Sequence, residues 1–120
     1  MATVDLTAET FESTIESDKL VLVDWWAAWC GPCRMFAPVY EAASEKHQDV
    51  VFGKVDTEAE QMLAAQAGIS SIPTLMIFRE GILLFAQPGA LPGNALKDLI
   101  TQAQGLDMDE VRAELAKADA

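Results

Sequence analysis

Cys30 and Cys33 are the only two cysteines in the chain, and Gly31 and Pro32 separate them. The pair follows a run of apolar and β-favouring residues at once, and Pro32 suits the first turn of a helix. A helix N-terminus offers unpaired N–H groups and the positive end of a dipole, so it favours a thiolate at Cys30. Cys33, within the same first turn, is close enough to bond Cys30 but points back toward the core, which makes it the less accessible sulfur. This pattern predicts dithiol–disulfide exchange. Cys30 thiolate attacks a partner's disulfide, a mixed disulfide forms, and Cys33 displaces the reduced partner to leave a Cys30–Cys33 disulfide. Two other readings compete. Tetrahedral zinc takes four ligands, and His47 is the only further soft candidate. A buried, purely structural pair is the other.

Several elements must position that pair. Leu20–Trp26 is continuously apolar except for Asp24, as in a strand covered on both faces. Asp24 is therefore expected to be buried, with its carboxyl raised toward the range useful for proton transfer. A solvent-facing Asp at a strand edge is the competing reading. The helix opened by Gly31-Pro32 is predicted to run to about His47, kinked at Pro38, with His47 as a charge partner at its end. Before the strand, Thr7 is predicted to cap a helix over about 8–17 that turns Phe11 and Ile15 inward. Val50–Val55 reads as a second buried strand. Thr57 and Glu60 form a capping signal for a helix that stops at Gly68. Thr74–Phe78 and Ile82–Phe85 read as a hairpin around Arg79-Glu80-Gly81, with Gly81 in the left-handed conformation of a bulged loop. Pro92 starts a helix with Leu96, Leu99 and Ile100 on one side, ended by Gly105. Asp107 and Glu110 then cap a short amphipathic helix marked by Met108, Val111 and Leu115. Met35, Met62 and Met76 are expected in the core, and Trp25 and Trp26 in the core or scaffold.

With 120 residues the chain has the size of one domain, and its hydrophobic content of 51% is that of a folded one. Its net charge of −11 repels phosphate backbones and anionic lipid surfaces, which argues against nucleic-acid and membrane partners. Residues 1–19 carry Asp5, Glu9, Glu12, Glu16 and Asp18 without an apolar run suited to a secretory signal, so the expected location is cytoplasmic. No apolar stretch is long enough to span a bilayer.

The segment Val23-Asp24-Trp25-Trp26-Ala27-Ala28-Trp29-Cys30-Gly31-Pro32-Cys33-Arg34-Met35-Phe36-Ala37-Pro38 resembles the active-site region of the thioredoxin family. Lys54-Val55-Asp56, Ile72-Pro73-Thr74 and Gly89-Ala90 follow in that family's order and approximate spacing. The resemblance covers about residues 5–104. It implies the thioredoxin fold, an α/β architecture with a central mixed β-sheet flanked by helices on both faces. The domain would occupy 1–105, with 106–120 an added C-terminal helical extension. Three positions depart from the usual pattern: Arg34 replaces Lys, Ala28 occupies a place often polar, and Pro88 stands where many relatives have Val.

The same resemblance assigns roles. It puts Asp24 behind Cys33, where it would accept that thiol's proton, and Lys54 beside Asp24, where an ammonium would offset the desolvation of the carboxylate. A surface lysine is the competing reading of Lys54. The resemblance implies a cis Ile72–Pro73 bond against the cysteines, with the Ile72 backbone pairing to an extended substrate segment. Trp29, Gly31, Pro32, Gly89 and Ala90 would complete the substrate-binding platform; plain packing is the other reading of Trp29. The implied activity is protein-disulfide reduction by a monomer with no cofactor of its own, serving client proteins with reducible disulfides and cell redox homeostasis. Recharging would come from a flavin-containing, NADPH-dependent thioredoxin reductase. Gly31-Pro32 resembles the reductants of the fold rather than its oxidants, which usually carry histidine before the second cysteine. A reading from another class is a binding module whose platform docks a partner while the redox state is incidental.

Overall fold

The computed structural model describes residues 2–119; Met1 and Ala120, which the expected domain limits include, lie outside the described residues. In chain order the elements are β1 (Thr3–Asp5), α1 (Phe11–Ile15), β2 (Leu20–Trp26), α2 (Gly31–Lys46), β3 (Val51–Asp56), α3 (Gln61–Gln66), β4 (Thr74–Arg79), β5 (Ile82–Pro88), α4 (Gly93–Gln104) and α5 (Met108–Asp119). The five strands form one sheet in the order β1-β3-β2-β4-β5. β3 lies parallel to β1 and β2, whereas β4 is antiparallel to β2 and β5.

β2 occupies the middle of the sheet, and its side chains alternate between two buried faces. Leu20 and Leu22 join Phe36 and Tyr40 of α2 and Leu96 and Ile100 of α4 in one core. Val21, Val23 and Trp25 join Phe11, Ile15 and Ala64 in the other, on the α1 and α3 side. The period of two therefore puts Asp24 on the α2 face, in line with Leu20 and Leu22. Lys54 follows Phe52 onto that face by the same alternation.

Four expectations need correction. α1 begins at Phe11, because Thr7 forms a turn in which its N–H and hydroxyl meet the Thr10 hydroxyl, and Thr10 takes the N-cap position. Thr57 does not cap α3. Its hydroxyl donates to the Trp26 carbonyl, and the Asp56 carboxylate accepts the N–H groups of Glu58 and Ala59, so the turn is built one residue earlier. The β4–β5 turn has two central residues, Glu80 and Gly81, both at positive φ (55° and 79°), because Arg79 pairs directly with Ile82. The bulge lies instead between Ile77 and Phe78. Met35 and Met62 are 74% and 76% exposed, on the outer faces of α2 and α3; only Met76 of the three is buried.

α4 ends against Arg79, whose guanidinium donates to the carbonyls of Ala103 and Leu106. The Asp107 carboxylate accepts the N–H groups of Asp109 and Glu110, which starts α5. α5 is held by buried Met108 and by Arg112, which bridges Glu80 in the hairpin turn and Asp109 in its own helix.

Candidate active site

Cys30 is the N-cap of α2, with extended backbone, and Cys33 lies one turn inside. Their Cα atoms are 5.2 Å apart and a disulfide joins them. The Cys33 N–H donates to Cys30 Sγ over 3.2 Å, so an unpaired donor of the helix N-terminus points at the sulfur that would carry a negative charge. Residual exposure barely separates the two sulfurs, at 4% for Cys30 and 3% for Cys33. Their surroundings do. Cys30 lines an open groove of about 440 Å³ with Trp29, Gly31, Pro32, Ile69, Ser70, Ser71 and Ile72. Cys33 borders a cavity of about 100 Å³ on the other side, shared with Asp24, Trp26, Ala28, Arg34 and Lys54.

Asp24 is 1% exposed, and neither carboxylate oxygen has a hydrogen-bond partner among the described residues. Burial pushes its carboxyl from 3.8 up to about 7, and the Lys54 ammonium only partly offsets that. Lys54 is the register partner of Asp24 across β2 and β3, and its ammonium sits over the Trp26 ring, 5.0 Å from the centroid. Cys33, Asp24 and Lys54 border one cavity, whose volume exceeds that of a single water.

The Ile72–Pro73 peptide is cis, and the Ile72 carbonyl oxygen lies 3.7 Å from Cys30 Sγ. The Gly89 N–H donates to the Pro73 carbonyl, and Gly89 has φ 107°, a conformation that a residue with a Cβ adopts only under strain. Gly89 and Ala90 are thereby held beside the Pro73 segment, although they do not line the groove itself. Pro88 closes β5 opposite Thr74, on an edge strand where a missing N–H is tolerated. Trp29 is 67% exposed, and its indole N–H donates to the Glu58 carboxylate.

No sequence motif marks Glu58 as a site residue, because only the turn built by Asp56 brings it to the indole N–H. Ile69, Ser70 and Ser71 carry no sequence signal for a similar reason. Their contribution is the wall they form between α3 and Pro73, and no reactive side chain flags it. Among the described residues no group of three or more His, Cys, Asp or Glu side chains is gathered to hold a metal ion, and His47 stands at the far end of α2 from the cysteines.

The thioredoxin family model matches residues 2–102. The protein that bears the thioredoxin 2 name in Streptomyces coelicolor is 60% identical over 119 residues, covering 99% of this chain and 89% of that one. The thioredoxin of Alicyclobacillus acidocaldarius is 51% identical over 81 residues, covering 67% and 77%. Among solved structures, a Malassezia sympodialis thioredoxin superposes with a TM-score of 0.77 at 33% identity, covering 85% of this chain and 93% of that one. Sequence, fold and the bonded cysteine pair lead to one conclusion: the chain belongs to the thioredoxin family, as a dithiol–disulfide oxidoreductase that reduces protein disulfides through Cys30 and Cys33.

Proposed function

We propose that Cys30 is the attacking thiolate and Cys33 the resolving thiol of a protein-disulfide reductase, with Asp24 as the proton acceptor for Cys33. The observation that carries this reading is the division of the site by the disulfide. Cys30 faces the open groove, while Cys33 faces the small cavity lined by Asp24 and Lys54. A client's extended segment lies in the groove, pairs with the Ile72 backbone and packs on Trp29, Gly31 and Pro32, with Gly89 and Ala90 at its margin. Cys30 thiolate attacks one client sulfur, and the client's other sulfur leaves as a thiolate that takes up a proton. Cys33 gives its proton to Asp24, through water in the cavity, and attacks Cys30 Sγ. The Cys30–Cys33 bond forms as the bond to the client breaks. Lys54 sets how readily Asp24 gives the proton up again.

Recharging requires two electrons from outside the chain, and a flavin-containing, NADPH-dependent thioredoxin reductase is the source we propose. The working compartment in this reading is the cytoplasm, where thiols are kept reduced. No helix among the described residues is long and apolar enough to cross a membrane. In this reading residues 1–105 are the catalytic domain and 106–120 an appended extension that carries α5. The family match stops at residue 102, whereas the Streptomyces coelicolor relative aligns over 99% of the chain.

Equilibration against a glutathione buffer of known poise tests the direction of use. A reductant is found largely as the disulfide when total glutathione and its ratio are set to a poise of about −220 mV. A protein found largely as the dithiol under those conditions is an oxidant, and the proposed direction is then reversed.

A further inference from the structure

Arg34 extends its guanidinium back to the carbonyl of Ala28, with 2.8 Å between Nη1 and the oxygen. The two residues brace the chain on either side of Trp29-Cys30-Gly31-Pro32-Cys33, and both line the cavity that holds Asp24. They are also two of the three positions at which the sequence departs from its family's usual pattern. We propose that Arg34 is a positioning residue for the second half of the exchange: its bond to Ala28 keeps Cys33 within reach of Cys30 while no covalent bond joins them.

The inference rests on the roles proposed for Cys30 and Cys33. In the disulfide form the cysteines themselves tie the loop, and the brace is redundant. When Cys30 is bonded to a client, that tie is absent, and the rate at which Cys33 reaches Cys30 Sγ depends on how closely the loop is held. The brace closes the loop from outside the reacting atoms. It leaves the attack of Cys30 on a client nearly untouched, since that step uses the Cys33 backbone N–H in the first turn of α2 and the groove, and does not use the Cys33 thiol.

The two steps separate in stopped flow with excess 5,5′-dithiobis(2-nitrobenzoate) and the reduced full-length protein. The first release of 5-thio-2-nitrobenzoate reports attack by one cysteine and scales with reagent concentration; the second reports ring closure and does not. Arg34→Met is expected to slow the second release by roughly three- to tenfold, the worth of one net hydrogen bond, and to change the first by less than about twofold. Arg34→Lys, which keeps the charge and one donor for the same carbonyl, is expected to fall between. An unchanged second release in Arg34→Met overturns the proposal, as does equal slowing of both releases. So does a wild-type rate that high salt lowers to that of Arg34→Met, because charge rather than the brace is then responsible. If Cys33→Ser still gives the second, concentration-independent release, the assignment of Cys33 as resolving thiol fails instead.

Discussion

Lys54 stands opposite Asp24 in the β2–β3 register, yet its ammonium rests over the Trp26 ring, and both Asp24 oxygens lack a hydrogen bond from any described residue. The lysine acts on the acid through space alone. Asp24 is thus a carboxyl that burial keeps protonated up to about pH 7 and whose proton is given up near neutrality.

Such an acid costs stability, with a definite sign. Its proton is held to about pH 7 in the folded chain against 3.8 for the unperturbed group, so the folded state binds more protons between those values. Stability therefore falls as pH rises through that window, and above it the loss is complete, about 4 kcal/mol at 1.36 kcal/mol per pH unit. Asp24→Asn removes this dependence. Its stability relative to wild type is expected to grow by about 2–3 kcal/mol between pH 5 and pH 8, as measured by urea unfolding at both values. A difference that does not change with pH places the carboxyl in water.

Lys54→Met removes the ammonium that holds the Asp24 carboxyl down, so the proton should be retained to still higher pH. The midpoint of the Asp24 titration, followed through its carboxyl carbon by nuclear magnetic resonance, is expected to move upward from that of wild type. An unmoved midpoint means that Lys54 has no electrostatic hold on the acid.

Truncation after Leu106 removes buried Met108 and the Arg112 bridge to Glu80. Burying a methionine is worth about 1.5–3 kcal/mol and an exposed ion pair at most about 1, so a loss near 2 kcal/mol is expected in urea melts. Turnover in insulin reduction should stay within about twofold of the full chain. A tenfold loss with the fold intact assigns the helix to the site or to the recharging partner.

The buried strand, the helix opened by Gly31-Pro32 and the placement of Asp24 were legible in the sequence because each rests on local signals. β2 is apolar but for Asp24, Pro32 suits a first turn, and an acid within a strand covered on both faces falls in the core. The turns were read less well. Thr7 and Thr57 both carry capping chemistry, but a local bond to the Thr10 hydroxyl and a tertiary one to the Trp26 carbonyl claim their hydroxyls. Glu80 accepts a left-handed conformation that its residue type disfavours, since the strand register leaves room for only two turn residues. Met35 and Met62 are apolar residues on the solvent side of their helices, which a pattern of hydrophobic positions does not distinguish from the core side. Sheet order came from the resemblance to a family, because no periodicity within a strand says which strand lies beside it.

The separate roles of the two sulfurs are the centre of this account, and trapping tests them most directly. Reduced Cys33→Ser and Cys30→Ser are each mixed with a disulfide-bonded client, quenched with acid, and digested for mass spectrometry without reduction. Cys33→Ser is expected to accumulate a client joined through Cys30, because no thiol remains to resolve it, while Cys30→Ser forms little adduct and reduces no client. Adducts that accumulate through Cys33 in Cys30→Ser, with none in Cys33→Ser, contradict the account.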